Sequence, residues 1–337
     1  MKIQCTILTG YLGSGKTTFL NSVLRSPELQ NTAILINEFG DVGIDQDLVA
    51  IDDDDILILE GGCICCEYRG NLAGKIKQIT DSYSPERIII ETSGVANPIP
   101  VFETFSTIPG LKDHVHCSCV VTVVDSVFGL KNIDSSIEGK LQIASADHIV
   151  ISKTDMPEGK ANLQELSERI RTLNQFANCH LFVNDEVPAA LIPRLVNPDG
   201  THLLDHSLPH IGDTAHTHEI TFESTGIEFD GCLSLSVVQE WIDDFLTAFA
   251  PYTLRLKGLL NLQDNSDMAV LQVVRDIVSP ITYVEDDHGN RKNRIVVITC
   301  DIHPDLVREE LNRLAESIRN SKFSDKDPML HISRTMF

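Results

Sequence analysis

The chain has 337 residues, enough for two domains, and 42% hydrophobic residues, enough for a packed core. Asp and Glu total 49 against 27 Lys and Arg, a net charge of −22, which repels nucleic-acid phosphates and anionic membrane surfaces and removes both as default partners. No run reaches the roughly 18 apolar residues of a membrane span, and nine cysteines, three of them at Cys63, Cys65 and Cys66, suit thiolates in a reducing cytoplasm better than a disulfide framework.

The opening Met1–Leu8 reads as a strand, not a targeting segment. Apolar runs at Ile3–Leu8, Thr32–Ile36, Ile56–Leu59, Arg87–Ile90, Val120–Val124, Ile149–Ile151 and His180–Val183 predict strands, several of them continuous enough for a parallel sheet buried on both faces. Helical patterns lie between them, at Lys16–Arg25, Asn71–Ser82 and Asn162–Asn174. The alternation predicts a doubly wound α/β domain with a mostly parallel sheet over residues 1–196, with ligands at the carboxyl ends of the strands. Residues 197–218 hold turn signals and His202, His206, His210, His216 and His218, and read as a His-rich linker. Residues 219–337 predict a smaller α+β domain. It has a strand from Glu219, a helix over Ser234–Phe249, strands near Leu254–Leu262, Met268–Val274 and Arg294–Thr299, and a helix over Pro304–Arg319. Both helices are expected on one sheet face. Cys5, Cys179, Cys232 and Cys300 lie on or near apolar runs and are expected in the core, as is Trp241. Arg255 and Lys257 suit either a sheet surface or a contact with the first domain.

Gly10-Tyr11-Leu12-Gly13-Ser14-Gly15-Lys16-Thr17, followed by Thr18, is a P-loop pattern between a strand and a helix. Glycines let backbone N–H groups converge on phosphates, the helix N-terminus adds partial positive charge, Lys16 reaches the β- and γ-phosphates, and the Thr17 hydroxyl suits magnesium. The run Arg87–Gly94 delivers Glu91 at a strand tip, where a carboxylate holds a magnesium-bound water or orients the attacking water, and Gly94 offers its N–H to the γ-phosphate. Ser152-Lys153-Thr154-Asp155 follows a third strand. A carboxylate at Asp155 accepts from both N1–H and the exocyclic amine of guanine, a donor pair adenine lacks, which favours GTP over ATP. Ser152 stands where guanine-specific GTPases usually carry Asn, and the Lys153 stem suits packing along the base.

Gly61-Gly62-Cys63-Ile64-Cys65-Cys66 follows the strand Ile56–Leu59 and so belongs on the same sheet edge. Cys63 and Cys65 share a face of an extended segment, and Cys66 joins them if the chain bends. Three thiolates suit Zn²⁺, Cu(I) or Co²⁺, and an incomplete ligand shell suits an ion that must leave. Redox activity and simple burial are the alternatives. The linker histidines suit a weaker metal site or a merely polar linker. His114, with His116, Cys117 and Cys119, either completes a metal site or forms the lead-in to the strand at Val120.

With these motifs in place, the chain resembles the CobW-type GTPases, the metallochaperone group related to HypB and UreG. The resemblance rests on Gly10–Thr18, Asn37–Asp45, Gly62–Cys66, Glu91–Gly94, Val124-Asp125 and Ser152–Asp155, with Leu254–Gly258 and Arg294–Ile298 in the C-terminal part. It implies GTP hydrolysis coupled to delivery of a transition metal, zinc first and cobalt second, to a metal-requiring client protein. It makes Asn37–Asp45 a switch loop in which Glu38 contacts magnesium or orients water, so that Lys16, Glu38 and Glu91 form the expected catalytic set. GTP, Mg²⁺ and Zn²⁺ are the implied ligands, and a homo-oligomer is compatible with the reading. Switch GTPases working alone turn over as slowly as about 10⁻⁴ s⁻¹, and slow intrinsic turnover is expected here. A zinc-sensing regulatory GTPase and a cobalt-handling accessory protein of cobalamin biosynthesis are the competing readings. Glu60-Gly61 departs from the uncharged polar residue common before the Gly-Cys of the family.

Overall fold

A computed structural model describes residues 2–29, 31–37, 58–61, 74–108 apart from 75, 78, 82 and 83, and then 111–196, 221–263, 265–285 and 291–324. The chain forms two compact units, Met1–His206 and Ser207–Phe337. No helix among the described residues is long and apolar enough to cross a membrane.

The first unit is built on seven strands: β1 (Ile3–Gly10), β2 (Thr32–Asn37), β3 (Ile58–Gly61), β4 (Arg87–Glu91), β5 (Val115–Asp125), β6 (His148–Ser152) and β7 (Asn178–Leu181). Their spatial order is β3-β2-β4-β1-β5-β6-β7, and every pairing is parallel. The inner strands are Ile- and Val-rich because both faces are covered: Ile7, Ile34, Ile90, Val121 and Val150 are all buried. Register then decides where the ends fall. Leu8 pairs with Glu91, Gly10 with Val123, Asp125 with Ser152 and Asn37 with Gly61. Parallel strands in this register bring Gly10, Glu91, Asp125, Ser152 and Gly61 to one sheet edge.

Several elements differ from the sequence reading. β5 begins at Val115 rather than Val120, because Cys117 and Cys119 are buried and extend the strand toward its amino end. β7 is displaced to Asn178–Leu181 from the expected His180–Val183. Three further helices, Pro98–Thr107, Gly129–Ser135 and Ile137–Ala144, are present beyond the helices named from the sequence. The first begins at an N-cap, Asn97, whose Oδ1 accepts from the Ile99 N–H at 3.0 Å, with Pro98 in the first turn. The helix expected over Asn71–Ser82 lies partly outside the described residues; 74, 76, 77 and 79–81 are helical.

The second unit is an antiparallel sheet in the order β11-β10-β9-β13-β8, with β12 (Thr282–Val284) paired to β10. These strands are β8 (Phe222–Phe229), β9 (Thr253–Asn261), β10 (Met268–Val274), β11 (Ile277–Val278) and β13 (Asn293–Cys300). Helices Leu235–Phe249 and Pro304–Ser324 bury Trp241, Phe245, Val307 and Leu311 against Leu256, Leu271 and Val297. Trp241 is core, and its Nε1–H donates to the Glu310 carbonyl at 3.2 Å. Alternation along β9 puts Arg255 and Lys257 on the face opposite these helices, where both are buried. The cysteine expectation needs correction. Cys5 is buried, but Cys179 and Cys232 are exposed and Cys300 is half-buried, because they lie on an edge strand, in a loop and at a strand end.

Candidate functional site

The phosphate loop follows from three glycines held in conformations other residues avoid. Gly10 has φ 147° and a Cβ there would collide with the Val123 carbonyl, while Gly13 and Gly15 have φ 70° and 93°. Gly15 caps the helix Lys16–Leu24 with no side-chain hydrogen bond, so the first-turn N–H groups have no side-chain cap and remain available to an anion. Lys16 is folded back over the loop, with Nζ donating to the carbonyls of Gly10 at 2.9 Å and Tyr11 at 3.4 Å. A cavity of about 310 Å³ opens beside it, lined on the loop side by Gly13, Gly15, Lys16, Thr17 and Thr18.

The opposite wall is the end of β4 and the turn after it: Glu91, Thr92, Ser93 and Gly94. Glu91 is buried, and its Oε1 accepts from the Thr17 hydroxyl at 3.3 Å. Thr92 is fixed by Thr9, its Oγ1 donating to Thr9 Oγ1 at 2.8 Å. Gly94 lies against the loop so closely that a Cβ would stand 2.8 Å from Leu12 Cα. The turn is also held from behind. Gln142, fully buried on the helix Ile137–Ala144, donates from Nε2 to the carbonyls of Gly94 at 3.2 Å and Ala96 at 3.0 Å. Its own carbonyl accepts from Thr122 Oγ1 at 2.7 Å. Sequence reasoning missed Gln142, since a buried amide on a short helix carries no motif.

Lys153 closes a third side of the cavity. It adopts a left-handed φ of 56°, and its Nζ donates to the Gly13 carbonyl at 2.7 Å and to Asp125 Oδ2 at 2.6 Å. Asp125 is buried and its Oδ1 accepts from the Val127 N–H at 2.7 Å. Ser152 Oγ donates to the Ser14 carbonyl at 2.6 Å. Both Ser152 and Lys153 therefore brace the phosphate loop, and the Lys153 ammonium ties it to the end of β5. Asp155 is exposed just past them, outside the lining of the cavity. Gly159, in the first turn of the helix Pro157–Leu173, packs with no room for a Cβ against the Lys153 carbonyl and Ser126 Oγ.

The remaining candidates divide by position. Glu38, Cys63, Cys65, Cys66, His202, His206, His210, His216 and His218 lie outside the described residues. Gly61, which ends β3 just before Gly62 and Cys63, is at the same sheet edge as the cavity. His114 is not. It ends a short helix at the amino end of β5, so the eleven residues of that strand, about 3.3 Å each, separate it from the edge that Gly61 reaches. This placement makes His114 the lead-in to β5, at the opposite end of that strand from the edge that Gly61 reaches. No group of three or more metal-ligating side chains occurs among the described residues.

A parallel sheet carrying a strand–glycine loop–helix, an acid at the tip of the adjacent strand and a Lys153–Asp125 brace define a P-loop nucleotide-binding protein. The chain belongs to the CobW/HypB/UreG family: residues 4–180 match that family's nucleotide-binding domain, and residues 222–315 match the cobalamin synthesis protein CobW C-terminal domain. It is similar to the zinc-regulated GTPase metalloprotein activator 1 of Schizosaccharomyces pombe, with 34% identity over 90% of this chain and 81% of that one. The zinc chaperone YjiA of Escherichia coli is 28% identical over 82% of this chain and 87% of its own. The crystal structure of Zn(II)-bound YjiA GTPase from E. coli shares the fold, with a TM-score of 0.66, 22% identity and coverage of 93% and 99% of the two chains.

Proposed function

We propose that this chain is a GTP-hydrolysing metallochaperone of the cytoplasm that holds zinc on Cys63, Cys65 and Cys66 and passes it to a metal-requiring client protein. The observation that carries the reading is the shared edge: the cavity beside the phosphate loop and the carboxyl end of β3, which leads into the cysteine motif. The names of the similar proteins, a zinc chaperone and a zinc-regulated GTPase, support zinc as the cargo.

In this reading Lys16 exchanges the Gly10 and Tyr11 carbonyls for oxygens of the β- and γ-phosphates, a charge-assisted and stronger pairing. Backbone N–H groups of Gly13–Thr18 cradle the phosphate chain. Thr17 and Glu91, two hydrogen-bonded oxygen groups facing one cavity, are hard donors of the kind magnesium takes, and they would hold it. Magnesium, when bound, offsets charge on the phosphates. Glu91 and Glu38 orient the water whose oxygen attacks the γ-phosphorus as the bond to the β-γ bridging oxygen breaks, leaving GDP and phosphate. Gly94 offers its N–H to the γ-phosphate. Asp155 accepts from guanine N1–H and the exocyclic amine, while Ser152 and Lys153 hold the loop beneath it.

GTP orders the switch loop Asn37–Asp45 and the segment Gly61–Cys66 together, so the thiolates converge on zinc; hydrolysis releases both. Linkage makes the effect mutual, since a coupling of about 1–3 kcal/mol tightens each ligand by about 5–150-fold in the presence of the other. Zinc titration against a chelating dye, with and without a non-hydrolysable GTP analogue, tests this, and equal zinc affinities would sink it. Replacing Cys65 and Cys66 by Ser should abolish tight zinc binding and spare GTP binding. The C-terminal match to a cobalamin synthesis protein favours cobalt as the second reading. Metal analysis of protein purified without a His tag decides between the two.

A further inference from the structure

We propose that Ser93 reads the nucleotide state, its hydroxyl hydrogen-bonding the terminal phosphoryl group of bound GTP, a contact GDP lacks. The inference rests on the nucleotide-site reading above and adds a residue to it.

Ser93 is only 7% exposed, its Oγ is buried without a hydrogen bond among the described residues, and it lines the cavity. A buried hydroxyl left unpaired is destabilising and uncommon. In a ligand cavity, the ligand is the natural partner. The other hydroxyl on this wall is engaged, Thr92 with Thr9, and across the cavity Thr17 is engaged with Glu91. The unpaired Ser14 and Ser126 hydroxyls do not line the cavity, which sets Ser93 apart from them.

The backbone around Ser93 is fixed even though its hydroxyl is not. The Ser93 carbonyl accepts from the Ala96 N–H at 3.1 Å. Gln142 pins the carbonyls of Gly94 and Ala96, and Gly94 abuts Leu12 of the phosphate loop. A hydroxyl presented from a turn this constrained needs little reorganisation to engage a ligand. Position in the cavity sets which part of the nucleotide it meets. The Gly13–Thr17 amides take the inner phosphates. Ser93 stands two residues beyond Glu91, on the wall where the terminal phosphoryl group and the attacking water belong. Phosphoryl oxygens only accept hydrogen bonds, and the serine hydroxyl supplies the donor.

The test is calorimetric titration of the full chain and of Ser93→Ala with GDP and with a non-hydrolysable GTP analogue, each with magnesium. One hydrogen bond to a charged group corresponds to roughly ten-fold or more in affinity. The analogue should weaken by about that factor while GDP affinity stays unchanged. Ser93→Thr, which keeps the hydroxyl, should keep the GTP-over-GDP preference. If alanine leaves the turn misfolded, Ser93→Cys supplies a weak donor of similar volume and should show the same selective loss. Equal weakening of both nucleotides, no weakening of either, or a Ser93→Thr loss as large as that of Ser93→Ala overturns the proposal. Unimpaired binding of both nucleotides by Lys16→Ala would instead overturn the site assignment, so the two failures are distinct.

Discussion

Gly94→Ala probes a close approach between the two walls of the nucleotide cavity. A Cβ at this position would stand 2.6 Å from Leu12 Cδ2 and 2.8 Å from Leu12 Cγ and Cα. Carbon atoms pack at about 3.5–4.0 Å, so alanine requires about 1 Å of new separation. The Leu12 side chain is 60% exposed and can swing aside, which relieves Cδ2 and Cγ. It does not relieve Cα, which is main chain of the phosphate loop. Nor can the turn retreat freely, because Gln142 holds the carbonyls of Gly94 and Ala96. The displacement therefore falls on the loop that binds phosphate. Overpacking costs about 1–3 kcal/mol; with one side of the contact free to move, the lower half of that range is expected in urea denaturation. A shift of about 1 Å in binding groups costs on the order of 100-fold in rate, so GTP affinity by calorimetry and phosphate release should fall about 10–100-fold. Gly74→Ala is the control, since Gly74 is helical and exposed and a Cβ there would meet no heavy atom within 4 Å, and alanine there should stabilise by about 0.5–1 kcal/mol. A Gly94→Ala protein with unchanged GTP affinity and turnover would refute the reasoning.

Gly159→Ala forces a methyl against the Lys153 carbonyl and Ser126 Oγ and should weaken guanine nucleotides, through the Ser152–Asp155 loop, more than it weakens inorganic pyrophosphate, which has no base; equal loss of both ligands in a binding assay would argue against it. Asp155→Asn removes a charged acceptor for two guanine donors and should weaken GTP by about ten- to hundred-fold while improving binding of xanthosine triphosphate, whose ring carries a carbonyl in place of the amine; competition between the two nucleotides reports the ratio. His180 contributes a pH dependence. Its ring nitrogen lies 3.2 Å from that of His148, and burial, with a lesser push from Arg194, holds its pKa below the ordinary 6.5. The unfolded chain then binds this proton more readily, so the contribution to stability is complete above pH 6.5 and is lost as pH falls through the lower folded-state value. Melting temperature between about pH 7 and pH 5 should fall less steeply for His180→Gln than for the parent chain, and parallel slopes would contradict the assignment.

The P-loop of Gly10–Thr17 was legible from sequence because its constraints are local. Glycines at left-handed or crowded positions, followed by Lys16 and Thr17 at the start of a helix, are required by the backbone of the loop itself. The inner strands were legible for a related reason, as burial on both faces leaves continuous Ile and Val. The helices Pro98–Thr107, Gly129–Ser135 and Ile137–Ala144 were not, since no functional motif adjoins them as the glycine loop adjoins Lys16–Leu24, and their stability comes from docking. The amino half of β5 was hidden because His116 and the two cysteines there do not read as a strand until the sheet buries them.

Tertiary structure alone decided what the motifs touch. Gln142 reaches Gly94 across 48 residues of sequence, Thr92 meets Thr9 across 83, and Lys153 meets Asp125 across 28. None of these pairs has a spacing that a local pattern could reveal. Strand register placed Glu91 beside Thr17 and put His114 at the far end of β5, although His114 is closer in sequence to Glu91 than Thr17 is. The sequence by itself determined where the glycine loop and its helix fall, because that follows from residue type and local backbone. Which of them share a cavity depends on how parallel strands align, and only the folded sheet sets that alignment.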